Sequence, residues 1–88
     1  MSLTLDKKIV LKDILEQARA ARTKLREIER AQIDLILIVT LGLAGRIPID
    51  QALILITLQV AFIEGLRNEL ADILANLQTD LILLKSFT

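Results

Sequence analysis

The chain has no cysteine, histidine, tryptophan or tyrosine, and only one proline, three glycines and two phenylalanines. Without cysteine there is no disulfide and no thiolate metal site. Without histidine the commonest general base and metal ligand is missing. The lack of Trp and Tyr removes the platforms on which single-stranded nucleic acid stacks and the aromatic belt of many membrane proteins. No Gly-rich phosphate loop, Ser/His/Asp set or metal-spaced carboxylate cluster occurs, so neither an enzyme nor a cofactor-binding protein is expected. The longest charge-free runs are Leu35–Gly45, 11 residues, and Gln51–Ile63, 13 residues. Both fall short of the roughly 18–20 that cross a bilayer as a helix. Asp6, Lys7 and Lys8 open the chain where a signal peptide would carry its apolar run, so none is expected.

What is abundant is aliphatic. Of 88 residues 53% are hydrophobic, and the mean hydropathy is +0.56. A chain this short buries a marginal core on its own, and oligomerisation is the expected remedy. Net charge is zero but unevenly placed: +2 over residues 1–34 and −2 over 35–88. Character changes along the same boundaries. Residues 1–34 and 64–88 are amphipathic, whereas 35–63 are almost uniformly apolar, broken only around Arg46 and Asp50.

These patterns predict an all-α fold, a single long two-helix hairpin over 1–88. Its helices run from about 4 to 44 and 48 to 85 with the turn at 45–47. The first starts near Thr4 and ends where Gly45 can take the left-handed C′ conformation. Pro48 suits the first turn of the second helix, with Asp50 at the positive end of its dipole and Lys85 at the negative end. At 1.5 Å per residue each arm is about 60 Å long. Residue i is expected opposite roughly residue 92 − i. Stems 1–34 and 64–88 would support an apolar tip, 35–63, that two helices cannot hide within themselves.

Helical periodicity sorts the first stem into three faces. Leu3, Val10, Ile14, Ala18, Ala21, Leu25 and Ile28 form the expected seam. Lys8, Lys12, Arg19, Arg22, Arg26 and Arg30 fall within about 80° of one another, as a candidate nucleic-acid-binding stripe. Asp6, Asp13, Glu16, Glu27 and Asp34 occupy the opposite flank. The stripe has two readings. Either it meets the acidic flank of a neighbouring copy, or it tracks a nucleic-acid backbone by counter-ion release.

On the second helix Ile63, Leu66, Leu70, Ile73, Leu77, Leu81 and Leu84 make the seam. Asn68, Glu69, Asp72, Asn76 and Asp80 make the wet side. Leu35, Ile36, Leu37, Ile38, Val39, Leu53, Ile54, Leu55, Ile56, Leu58 and Phe62 are the candidate assembly interface. Glu64 ends the apolar run, where a carboxylate could hold its proton more tightly. The ordinary expectation is a boundary residue paired with Arg67 or Arg30. A hairpin carrying one such carboxylate is somewhat similar to the proton-carrying ring subunit of rotary ATPases, but that family's first helix is Gly-rich and wholly apolar, unlike the basic stem here.

The length, the basic stem and the tip LILIVTLGLAG-RIPID-QALILITLQVAFI together resemble another class. These are the small hydrophobic α-helical-hairpin coat proteins of bacilliform, rod-like and spindle-shaped archaeal viruses. The resemblance is one of architecture and spans the whole chain. It implies a structural virion protein present in many copies as a shell or filament, with the stripe facing double-stranded DNA and the tips sealing the wall. Alternatives are a membrane hairpin, holin-like or ring-forming, with its tip in lipid, a soluble helical bundle that binds RNA or protein, or a designed filament.

Overall fold

Two helices, α1 (Leu5–Leu43) and α2 (Ile49–Ser86), lie side by side and antiparallel. The computed structural model describes residues 5–87. Thr4 and Leu3, expected to open the first helix and its seam, lie outside the described residues. The rod measures 67 × 15 × 13 Å with a radius of gyration of 19.7 Å. A compact domain of this length would have a radius near 12 Å. Among the described residues there is no strand.

Local chemistry accounts for the turn. Gly45 has φ 72°, and its N–H donates to the Gly42 carbonyl while that of Arg46 donates to Leu41. These two bonds are those of a Schellman C-cap, which a left-handed C′ residue makes possible. Pro48 sits one position earlier than expected, at the N-cap of α2 (φ −56°, ψ 144°), and α2 starts without a side-chain cap. Its carbonyl accepts the first helical bond, from Ala52. Asp50 lies in the first turn and Lys85 in the last, both as expected.

The seam is set by a 4,3 alternation that persists for nearly the whole rod. On α1 it runs through Val10, Ile14, Gln17, Ala21, Lys24, Ile28, Ala31, Leu35, Ile38 and Gly42, all buried or half-buried. On α2 it runs through Ala52, Ile56, Gln59, Ile63, Leu66, Leu70, Ile73, Leu77, Asp80 and Leu84, again all buried or half-buried. A period of 3.5 residues is that of a left-handed coiled coil. Ile28, Ala31 and Leu66 form its best-covered cluster, flanked by Ile63 and Leu70. Near the turn the helices close on small residues. Ala52 is fully buried, and a Cβ placed on Gly42 would stand 3.4 Å from that of Ala52.

The expected seams need correction at three places. Ala18 and Leu25 are exposed, and the α1 seam passes through Gln17 and Lys24. Leu81 is exposed and Asp80, expected on the wet side, takes its seam position. Choosing the apolar member of each turn follows a 3.6-residue helix, but two packed helices must hold a 3.5 repeat. Polar side chains therefore enter the seam where the register puts them. The Lys24 ammonium finds Glu69 across the seam and Glu27 on its own helix. Gln59 donates to the Ala31 carbonyl at 2.9 Å. The Lys24–Glu69 pair and the Gly42–Ala52 contact fix the register at about 93 − i.

Candidate functional site

Four surfaces follow from this register: the tip, the stem's basic face, the carboxylates near its open end, and the open end itself.

At the tip, the expected interface residues divide in two. Leu35, Ile38, Leu55 and Ile56 are half-buried in or beside the seam, where they hold the hairpin together. Ile36, Leu37, Val39, Leu53, Ile54, Leu58 and Phe62 are exposed, joined by Ile33, Leu43, Ile49 and Val60. Leu43, at the end of the rod, is 85% exposed. The two exposed threonines here do not require water. The Thr40 and Thr57 hydroxyls donate to the carbonyls of Ile36 and Leu53, at 2.7 and 2.8 Å. A threonine satisfied within its own helix can enter an apolar contact without stranding a donor.

On the stem, Lys8, Lys12, Arg19, Arg22, Arg26 and Arg30 are all exposed. By the helical period they lie roughly opposite the α1 seam, which leaves the stripe on the outer side of the rod. Lys24 is separate from it, with a side chain only 17% exposed. The hydrogen bonds its ammonium donates to Glu69 and then to Glu27 hold it above the usual lysine range.

Glu64 is exposed and makes no ion pair with Arg30 or Arg67. It lines only a shallow depression with Arg67, Asn68 and Ala71. The expected pairing is not formed within one hairpin, and the apolar neighbours do not close over the carboxylate.

Asp13 and Asp80 meet across the seam, a juxtaposition the sequence reading missed by assigning both to wet flanks. The Asp80 carboxyl is pushed above its ordinary value, first by its hydrogen bond with Asp13, then by desolvation and by the charge of Asp13. Its Oδ2 is enclosed without a donor. Two carboxyl groups supply one another with a donor only while the pair holds a proton. Among the described residues no three His, Cys, Asp or Glu side chains gather as a metal site.

A second apolar zone, also missed, lies at the open end. Leu5, Ile9, Leu11 and Leu15 on α1 and Leu81, Ile82 and Leu83 on α2 are exposed. The signal was present in the uninterrupted LILL run at 81–84, too apolar for a single stripe. Between the two zones Leu25 and Leu74 are the large hydrophobics exposed among the charged residues of the stem.

By length and composition α2 can cross a membrane. It contains an 18-residue window of mean hydropathy 1.6 with no more than two charged residues, 17% of it buried within the hairpin. The expectation that no segment would reach this length counted only charge-free runs, and one or two tolerated charges lengthen the α2 window.

Comparison with family models, curated proteins and solved structures gave no match.

Proposed function

We propose that this chain is a structural subunit that assembles in many copies into a virion-type coat or filament, with no catalytic role. Its apolar tips pack together and its basic stripe binds the backbone of double-stranded DNA. Surface area carries the reading. The hairpin exposes 6849 Å², whereas a folded monomer of 9.8 kDa exposes about 5,200 Å². The excess, roughly 1,700 Å², is about twice what one partner contributes to a standard interface. Each copy thus has surface for two neighbours or more, as a shell or filament requires and a closed dimer does not. The stripe supports the nucleic-acid part: six exposed cations recur along one face, four of them arginines able to grip phosphate with two donors.

A membrane-associated hairpin is the second reading, favoured by the apolar window of α2. The experiment that separates them is light scattering and electron microscopy of purified protein without detergent. The coat reading expects helical protein in particles far larger than a dimer. A stable soluble monomer ends it, and aggregates that only detergent or lipid disperses turn the assignment to the membrane.

A further inference from the structure

Two polar side chains of the seam find partners across it: Lys24 meets Glu69, and Gln59 meets the Ala31 carbonyl. Asp80 meets only another acid. The register of about 93 − i sets it level with Asp13, and both are half-buried. Its enclosed Oδ2 has no hydrogen-bond partner, and a second carboxylate has no donor to offer. One shared proton makes this contact a hydrogen bond, and loss of that proton leaves two like charges facing. The pair also stands where the rod is least well closed. Among the described residues Val10 is the one buried residue of α1 before Ala21, and α2 has none beyond Leu66. Helix ends with so few buried contacts open locally at low cost.

We propose that Asp13 and Asp80 form a proton-operated clasp, which closes the open end of the hairpin in acid and lets it part as the pH rises. The segments that separate are 5–13 of α1 and 80–87 of α2. Further in, the Lys24–Glu69 pair and the cluster of Ile28, Ala31 and Leu66 hold the seam. Opening bares Val10 and Leu84 beside the exposed Leu5, Ile9 and Leu83. The open end therefore presents more apolar surface at neutral pH than in acid. The charges around the pair are Asp6, Lys7, Lys8, Lys12 and Glu16 on α1 and Lys85 on α2. None of them forms an ion pair with Asp13 or Asp80, and Lys7 and Lys85 have contacts of their own. The four lysines do not cancel the effect of the pair. The Asp80 carboxyl stands above its ordinary value, through its hydrogen bond with Asp13 first, then desolvation and the charge of Asp13. A contact that is stronger with the proton bound loosens as the proton leaves.

The clasp is independent of the proposed assembly and DNA binding, and so is its test. Because the chain has no native cysteine, spin labels on the double variant Ile9→Cys, Ile82→Cys report the open end alone. A second pair, Thr23→Cys with Asn68→Cys, lies two heptads further in at the same helical positions and reports the held stem. All four sites are exposed. Labelled full-length protein is diluted in unlabelled protein, so that pulsed electron resonance reads distances within one hairpin, from pH 4 to 7. The 9–82 distance is expected to lengthen and broaden as the pH rises, with a midpoint above the ordinary aspartate value, while 23–68 stays constant. Asp80→Asn gives Asp13 an amide donor at every pH, and should keep the 9–82 distance short throughout. Asp13→Asn supplies the same donor from the other helix and should do likewise. If wild type and both amide variants give the same 9–82 distances at every pH, the clasp is overturned. A 23–68 distance that changes in step with 9–82 overturns it too, because the opening is then not confined to the end.

Discussion

Replacing Leu58 with aspartate separates assembly from folding. Leu58 is on the exposed side of α2 and 63% exposed in the hairpin, so its present contacts contribute little to the seam. Completing the burial of such a side chain is worth about 1–2 kcal/mol, taking 63% of the 1.5–3 kcal/mol for a fully buried leucine. Carrying an unpaired carboxylate into the same contact costs several kcal/mol more. A combined loss of about 4 kcal/mol corresponds to roughly a thousandfold rise in the concentration needed to assemble, at tenfold per 1.4 kcal/mol. Leu58→Ala, which loses only the burial, should need about tenfold more protein. Sedimentation velocity over a concentration series measures both shifts, and circular dichroism at the same concentrations should show undiminished helicity. Ile38→Asp is the contrast, because Ile38 is half-buried in the seam and its replacement should unravel the tip as well. If Leu58→Asp assembles at the wild-type concentration, the exposed face of the tip is not an interface.

The basic stripe is tested by the triple variant Arg19→Gln, Arg22→Gln and Arg26→Gln, which keeps helix propensity. On the DNA reading particles still form, but binding loses about three units of salt slope and packaged DNA falls. On the lateral-pairing reading assembly itself weakens, and neutralising Glu16 and Glu27 restores it. The Asp13–Asp80 pair gives the stem a pH dependence of definite sign. Because the Asp80 carboxyl lies above its ordinary value in the folded chain, its contribution is fully present below the ordinary carboxylate range. That contribution is lost as pH rises through the raised value. Lys12 and Glu16 neighbour Asp13 on α1, and Lys85 lies little more than a turn beyond Asp80 on α2. Thermal melts from pH 3 to 7 should show wild type losing stability relative to Asp80→Asn as pH rises, and parallel curves would reject the shared proton. The comparison isolates the pair from the Lys24–Glu69 bridge, which both proteins share.

Features fixed by one or a few neighbouring residues were legible in the sequence. Gly45 at a left-handed C′, Asp50 and Lys85 at the dipole ends, and both helix spans to within a residue or two all follow from local chemistry. Seam residues were legible only where the apolar pattern agreed with the coiled-coil repeat, as at Val10, Ile14, Ala21 and Ile28. Where the two diverged, the longer-range constraint prevailed: Lys24 and Asp80 entered the seam while Leu25 and Leu81 were turned out. That choice depends on two helices holding one register over ten contacts each, which a reading of either helix alone does not contain. The Asp13–Asp80 pair was missed for the same reason. The tip's excess of apolar surface was visible in composition, but its division into seam and outward residues required the paired register.

The same register bears on whether lipid or protein covers the tip. Taken alone, the apolar start of α2 is long enough to cross a bilayer. It cannot enter alone, because residues 49–66 of α2 lie level with residues 27–44 of α1. Immersing the first set brings Glu27, Glu29, Arg30 and Asp34 to membrane depth, together with Arg46 and Asp50 at the turn. Charged side chains at the bilayer centre cost about 2.5–3.5 kcal/mol each even on the most lenient scale. The charge-free part common to both helices, 35–42 against 51–58, extends only about 12 Å, well short of the roughly 30 Å hydrocarbon core. The apolar tip of the intact hairpin is therefore poorly matched to the thickness of a bilayer, which is in keeping with the proposed self-assembly.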